Sequence, residues 1–257
     1  MEGILELATT HGLLVVEDAA HGIGASARGR PLGGIGELGT LSFHETKNVS
    51  CGEGGALLVN DERFVDRAEI IHEKGTDRQR FFRGQVDKYT WVDVGSSYVL
   101  SDLAAAYLWA QLERVEEITS MRHAIWRNYH AALESLEQEG QLRRPVVPEW
   151  CSHNAHTYYV LLEDITTRAA LIDHLAERGI SAVFHYIPLH SSPAGLRYGR
   201  AEGDFSVTSS VSDRLLRLPL WAGMSADEID RVLDGVQTFF GGVRAGPTRS
   251  VRTTSPG

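Results

Sequence analysis

Residues 13–16, Leu-Leu-Val-Val, form an unbroken apolar run that ends abruptly in the acidic pair Glu17 and Asp18. Such a run predicts a strand buried on both faces, as in the parallel sheet of an α/β fold. Residues 3–10 before it have the apolar spacing of a helix, and Gly12 fits a helix stop. In open α/β sheets, ligands bind beyond the carboxyl ends of the strands. Asp18 is therefore expected at the carboxyl end of this strand, where its carboxylate could contact a ligand.

A lysine-bearing turn follows at residues 42–55, with the sequence SFHETKNVSCGEGG. It lies between two predicted strands, 38–43 and 56–59. Lys47 is one of only three lysines in the chain, and the other two lie at a predicted helix end and in a polar loop. An amine that is partly enclosed beside a strand end can lose its proton and react with an aldehyde. Lys47 is therefore the candidate for such chemistry.

Composition narrows the classes of function. The net charge of −9 argues against general affinity for nucleic acid or an anionic membrane. No apolar run approaches the roughly 20 residues that a bilayer-spanning helix needs. Two cysteines in 257 residues do not make a disulfide framework, which favours a cytoplasmic location, and Cys51 is expected to be a partly buried filler. The 11 histidines lack the spacing of a metal site, so no metal is expected.

Asp18 and Lys47 together meet the minimal requirement of pyridoxal phosphate chemistry. The carboxylate would keep the pyridine nitrogen protonated, and the lysine would hold the aldehyde. Ser42, shortly before the turn, offers a hydroxyl to the phosphate. Spacing alone leaves this open, because an aspartate at a strand end is structural in most α/β proteins.

The chain changes character after Gly140. A long helix is predicted from Ser101, with its apolar pattern running on to Leu136 after a bend near residue 118. A smaller α+β unit follows it, in which Ser225 and Glu228 form a capping box for the last helix. The predicted division is a larger domain at 1–118, a smaller domain at 119–241 and a disordered tail at 242–257.

Four stretches carry a family resemblance: VVEDAAHG at 15–22, SFHETKN followed by GEGG within 42–55, GSSYVLSDLAAAYLWAQL at 95–112, and VFHYIPLH at 183–190. They resemble the DegT/DnrJ/EryC1/StrS family of sugar-nucleotide aminotransferases. The resemblance implies an α/β fold of fold type I, the aspartate aminotransferase-like pyridoxal phosphate enzymes. It also implies only part of the large domain, followed by a small α+β C-terminal domain, since family members carry a long segment before the DAA strand that this chain lacks.

The resemblance implies roles for individual residues. Asp18 would pair with the pyridinium nitrogen, His21 would lie beside the cofactor ring and its phenolic oxygen, and Lys47 would form the covalent link. Ser42 would bind the phosphate, which Ser97 could also contact, and Asn48 would shape the site. The residues expected near the nucleotide sugar are Arg83, Lys88, Tyr89, His185, Tyr186 and His190.

The stretch after Gly95 departs from the family's usual GYNYR, since Ser96-Ser97-Tyr98-Val99 stand here. With FFRGQVDKYTW at 81–91, it resembles the subgroup that converts TDP-4-oxo-6-deoxy-D-glucose to TDP-4-amino-4,6-dideoxy-D-galactose with L-glutamate. A cytoplasmic homodimer is expected. Two alternatives stay open: a non-catalytic truncated remnant, and a related pyridoxal-phosphate-dependent sugar dehydratase. The dehydratases replace the lysine, so Lys47 argues against the second.

Overall fold

The computed structural model describes residues 1–243, which form two compact units. The first contains residues 1–122 and 147–156, and the second contains residues 123–146 and the described chain from residue 157 on. The strip 147–156, assigned from the sequence to the smaller domain, packs with the first unit. The predicted domain division itself stays a prediction. The predicted tail lies outside the described residues from residue 244 on.

The first unit is a mixture of helices and short strands. Its helices are α1 (Glu2–His11), α2 (Val65–His72), α3 (Arg78–Phe82), α4 (Asp102–Leu112) and α5 (Val115–Ala132), the last of which continues into the second unit. A 3-10 turn at Glu62–Phe64 precedes α2. Its strands are β1 (Val16–Asp18), β2 (Ser26–Ala27), β3 (Arg30–Pro31), β4 (Leu38–Ser42), β5 (Gly55–Val59) and β6 (Cys151–Ser152).

Two three-stranded sheets order these strands. In the first, β4 lies in the middle, parallel to β1 and antiparallel to β5. Because β1 and β4 are parallel, their carboxyl ends meet at one edge of the sheet. In the second sheet, β2 pairs with both β3 and β6, so Ser152 of the strip lies opposite Ser26.

The expectation of a strand buried on both faces is wrong. The strand begins at Val16, and Leu13, Leu14 and Val16 are 61%, 54% and 60% exposed. Within the described residues β1 is an edge strand that pairs only with β4, and too little of the described chain covers the faces of β1 to bury these side chains. Leu103 on α4 is 87% exposed, and of that helix only Leu108 is buried.

Local signals gave several elements their observed bounds. Helix α1 ends at Gly12, which adopts the left-handed φ of 63° that glycine accepts at a helix end. The turn at Asp61 begins with a side-chain cap on the amide of Arg63. The predicted long helix is divided into α4 and α5 at residues 113–114 rather than bent near 118.

Within the described residues, the second unit contains the end of α5, five further helices and an antiparallel sheet of order β7-β9-β8. Its helices are α6 (Glu134–Gln138), α7 (Ile165–Ala176), α8 (Pro193–Tyr198), α9 (Ser206–Arg214) and α10 (Ala226–Val243); its strands are β7 (Tyr158–Leu161), β8 (Val183–Phe184) and β9 (Leu215–Leu218). The predicted capping box is confirmed, since the Ser225 amide donates to Glu228 at 2.8 Å and the Glu228 amide donates to the Ser225 hydroxyl at 3.2 Å. Tyr129 and Tyr158 are fully buried in the core, with ring centroids 5.4 Å apart.

Glu17 secures the glycine-rich loop that leads into β4. Its carboxylate accepts backbone N–H groups from Gly33 at 3.1 Å, Ile35 at 2.5 Å and Gly36 at 2.8 Å. Adding a Cβ to Gly36 would bring it to 2.5 Å from the carbonyl oxygen of Val15, so the loop passes close to the start of β1. One carboxylate thus satisfies three amides that no strand partner reaches.

Glu17→Gln tests this anchor. Glutamine offers one acceptor oxygen and points donors at the remaining N–H groups, so we expect the free energy of unfolding to fall by about 1–3 kcal/mol. Urea denaturation measures the change. The matched control is Glu45→Gln, at an exposed side chain that makes no hydrogen bond or ion pair within residues 1–243. Equal midpoints for the two variants would contradict the anchoring role.

Candidate active site

The turn that carries Lys47 is held at both ends by buried side chains. Phe43 and Val49 are 5% and 0% exposed and pack against Leu108 of α4. Between them the backbone closes through hydrogen bonds from the Phe43 amide to Gly54 at 2.8 Å and from the Cys51 amide to Phe43 at 2.9 Å. Because the flanking side chains enter the core, residues 44–47 are directed outward. Lys47 is half-buried, and its amine makes no hydrogen bond or ion pair with any residue from 1 to 243.

Helix α4 and a cysteine support the far side of this turn. The Gln111 side chain donates to the carbonyl of Ser50 at 2.7 Å and accepts its amide at 3.2 Å. Cys51 is half-buried against the cluster of Phe43, Val49 and Leu108, as a filler residue would be. The turn is therefore fixed by packing and by side-chain hydrogen bonds together.

Asn48 links the turn to two other segments. Its buried amide nitrogen donates to the carbonyl of Asn154 at 2.9 Å, and its Oδ1 lies 2.9 Å from Nδ1 of His156. Asn154 in turn donates to the carbonyls of His21 at 2.7 Å and Ile23 at 2.8 Å. The strip 147–156 thereby ties the Lys47 turn to the loop that follows Asp18.

Asp18 and Ser42 lie at the same edge of the sheet. Asp18 is opposite Thr40 in the β1–β4 pairing, so Ser42 is two residues, roughly 7 Å, farther along the neighbouring strand. The exposed Asp18 carboxylate accepts the Ala20 amide at 3.1 Å, and the Ser42 hydroxyl accepts the His44 amide at 3.3 Å. This edge therefore presents a carboxylate and a hydroxyl beside the start of the Lys47 turn.

Arg122 supports the strip from behind. Its buried guanidinium donates to the carbonyls of Ala155 at 3.0 Å and His156 at 2.6 Å. Burial lowers the pKa of Arg122 to about 10, and no carboxylate pairs with it within residues 1–243. Ala155 is held at a φ of 50°, a left-handed conformation that is unfavourable for alanine. The two hydrogen bonds stabilise this strained corner.

Sequence reasoning missed Arg122, Asn154 and His156 as parts of the site. Only Arg122 left a usable signal. It stands four residues after Ile118 and four before Trp126, on the apolar face of α5, where an unpaired cation is rare.

The polar loop carries three of the substrate candidates and the cofactor candidate Ser97, and Arg83, Tyr89 and Ser97 contact α2, α3 and the residue after α2. Arg83 forms a two-point ion pair with Glu69 at 2.7 and 2.8 Å, and this hydrogen bonding raises the pKa of Arg83. Tyr89 packs edge-on to Phe81 at 5.8 Å, Lys88 is exposed, and Ser97 pairs with the end of α2. Within residues 1–243, no hydrogen bond, ion pair or ring contact joins Arg83, Lys88, Tyr89 or Ser97 to Asp18 or Lys47.

The other three substrate candidates belong to the second unit. Burial, and then the charge of Arg217, lower the pKa of His185. The Tyr186 ring lies 6.0 Å from the Arg217 guanidinium, and both His185 and Tyr186 line an apolar groove of about 670 Å³. His190 stacks on Phe205 with centroids 4.4 Å apart.

Metal-ligand clusters and membrane-spanning helices are both absent from residues 1–243. No group of three or more histidine, cysteine, aspartate or glutamate side chains is arranged to hold a metal ion in this part of the chain. None of the described helices combines the length and the apolar character that crossing a membrane requires.

The family model of DegT/DnrJ/EryC1/StrS aminotransferases matches residues 1–237. The chain belongs to this family. The match spans both units and all four stretches that carry the resemblance, so the recognition from sequence is confirmed. Aminotransferases of this family depend on pyridoxal phosphate.

Three individual proteins, one of them a solved structure, are similar to this chain along most of its length. The chain is 33% identical to GDP-perosamine synthase of Caulobacter vibrioides over 237 residues, covering 91% of this chain and 60% of the relative. It is 31% identical to the spore coat polysaccharide biosynthesis protein SpsC of Bacillus subtilis over 250 residues, covering 94% and 64%. The crystal structure of S. venezuelae DesV in complex with a ketimine intermediate superposes with a TM-score of 0.81 at 31% identity, covering 93% and 61%. The fold class is confirmed, and the chain spans under two thirds of each relative.

Arg122→Met tests the support behind the strip. Methionine keeps most of the side-chain volume but leaves two carbonyls without donors, so we expect a loss of about 1–3 kcal/mol in the free energy of unfolding. Amide hydrogen exchange should quicken at residues 154–156. The control is Arg127→Met, at an exposed position of the same helix. The support is disproved if Arg122→Met loses no more stability than Arg127→Met.

Proposed function

We propose that this protein is a pyridoxal-phosphate-dependent aminotransferase that acts on a nucleotide-linked 4-keto-6-deoxy sugar. One observation carries the proposal. The half-buried amine of Lys47, without a partner in residues 1–243, follows the sheet edge that presents Asp18 and Ser42, in a chain of this family. Relatives whose names refer to perosamine and coat-polysaccharide synthesis support the sugar class.

The amine, carboxylate and hydroxyl side chains at and beside the Lys47 turn are of the types that bind pyridoxal phosphate. Lys47 would hold its aldehyde carbon, Asp18 its pyridine nitrogen, and Ser42 its phosphate. His21 would lie beside the ring and its phenolic oxygen, and Asn48 would keep the turn in place. When bound, the cofactor supplies the electron sink for the carbanion that transamination generates.

The chain's own residues would then handle protons and orientation. The Lys47 amine would take the α-proton of L-glutamate and would give that proton back to the carbon atom that accepts it. The negative charge of the Asp18 carboxylate would favour the protonated form of the pyridine nitrogen. The Phe43 and Val49 anchors restrict the Lys47 backbone, so only side-chain freedom would be lost when the amine reaches the reacting carbon.

We assign TDP-4-oxo-6-deoxy-D-glucose as the sugar substrate, with TDP-4-amino-4,6-dideoxy-D-galactose as the product. The sequence at 81–99 supports this assignment. Arg83 would exchange Glu69 for a substrate phosphate, to which its planar fork is suited, while Lys88 adds charge and Tyr89 a ring. Ser97 would contact the cofactor phosphate. The residues assigned to the sugar end are His185, Tyr186 and His190.

A cytoplasmic homodimer completes the proposal. Leu103, Tyr107 and Trp109 of α4 are 87%, 61% and 65% exposed, and large side chains of this kind are enriched at protein interfaces. The two half-buried free cysteines suit a reducing compartment.

Lys47→Arg tests the catalytic assignment. Arginine keeps the charge and most of the length but cannot give up its proton, so turnover of the TDP-sugar with L-glutamate should fall by at least roughly 10²-fold. Mass spectrometry of the aminated product measures the rate. Lys74→Arg makes the same chemical change at an exposed lysine and should retain wild-type turnover. Comparable turnover in both variants would remove Lys47 from the mechanism.

The nucleotide assignment has its own test. We expect the TDP-linked keto sugar to exceed its GDP-linked analogue by at least about tenfold in kcat/KM, since a site built for one base leaves polar groups unpaired with another. Competition between the two substrates in one reaction gives the ratio directly. A preference for the GDP form would replace the TDP assignment and leave the aminotransferase intact.

A further inference from the structure

The hydrogen bonds of Asn48 determine which nitrogen of His156 carries a proton. The Asn48 amide nitrogen faces the carbonyl of Asn154, which can only accept, so the amide oxygen must face His156. An amide oxygen cannot donate. Nδ1 of His156 therefore donates to Asn48 Oδ1, and the ring is fixed in one orientation.

The same ring forms a platform for His21. The two imidazole centroids are 4.2 Å apart, with the rings inclined by 33°. The backbone of His21 is held separately, because Asn154 donates to its carbonyl at 2.7 Å. The side chain of His21 thus rests on a ring that is itself immobilised.

His156 stands on a rigid base. Its backbone amide donates to Oδ1 of Asn154 at 3.2 Å, and its carbonyl accepts from Arg122 at 2.6 Å. Upstream in the same strip, Trp150 accepts the Arg28 amide at 2.7 Å, and β6 pairs with β2. Because these hydrogen bonds fix the backbone of His156, its side chain can hold Asn48 and His21 in place.

We propose that His156 is a positioning residue with two separable roles. Its Nδ1–H holds the Asn48 amide and thereby the Lys47 turn, and its ring holds His21 at the angle from which it would meet the cofactor. The catalytic benefit of these two roles rests on the proposed function. The contacts of His156 with Asn48 and His21 are present without any bound cofactor.

Two substitutions separate the roles. His156→Phe keeps a flat ring under His21 but removes the donor to Asn48. His156→Asn keeps a donor near the Nδ1 position but removes the ring. If His156→Phe does not fold, His156→Tyr takes its place with the same expectation, because it also keeps a flat ring, has no donor at the Nδ1 position and leaves the hydrogen bond from Asn48 to Asn154 intact.

Chemical labelling of the full chain without cofactor measures the two roles separately, through the reactivity of Lys47 and of His21. Acetic anhydride labels amines, and the extent of labelling of Lys47 is compared with that of exposed Lys88. Diethyl pyrocarbonate labels imidazoles, and the extent of labelling of His21 is compared with that of exposed His11. Mass spectrometry measures both ratios. His156→Phe should raise the Lys47:Lys88 ratio about fivefold, the worth of one hydrogen bond, and leave His21:His11 within about twofold. His156→Asn should raise His21:His11 about threefold, the worth of one ring pair, and leave the lysine ratio within about twofold.

This crossed result supports the proposal, because general loosening of the fold would raise both ratios in both variants. The proposal is overturned if both ratios rise together or if neither changes. The proposed function fails separately, when the wild-type protein forms no linkage between Lys47 and pyridoxal phosphate. The labelling ratios would still decide the role of His156 in that case.

Discussion

The buried side-chain amide of Asn48 is the interaction on which the arrangement of the site depends. A buried amide is costly unless its donor and its acceptor both find partners, and the strip 147–156 supplies both. Asn154 of the strip also holds the loop after Asp18. The Lys47 turn, that loop and the strip are therefore joined by one set of side-chain hydrogen bonds.

Sequence reasoning succeeded where the causes are local. Lys47 lies on a turn between two strands, as predicted, because the apolar runs and the closing glycines that mark the strands and the turn all stand within one stretch of sequence. The stop of α1 at Gly12 and the capping box of Ser225 and Glu228 are likewise short-range features. Asp18 was predicted at the end of its strand and is found there.

Sequence reasoning failed where the causes lie far apart in the chain. Asn48 meets Asn154 and His156 across separations of 106 and 108 residues, and nothing in the sequence near either end marks such a pair. Burial is equally non-local. Leu13 and Leu103 follow the patterns of buried side chains, yet both are exposed because no described residue covers them. The ion pair of Arg83 with Glu69 was likewise not predicted, and the expected place of Arg83 near the nucleotide sugar stays a prediction.

Borohydride reduction of the protein in the presence of pyridoxal phosphate, followed by peptide mass spectrometry, tests the central claim most directly. The chain has only three lysines, so each peptide is distinguishable. The account predicts a stable pyridoxyl label on Lys47, with Lys74 and Lys88 unlabelled. Absence of a label, or equal labelling of all three lysines, would contradict it.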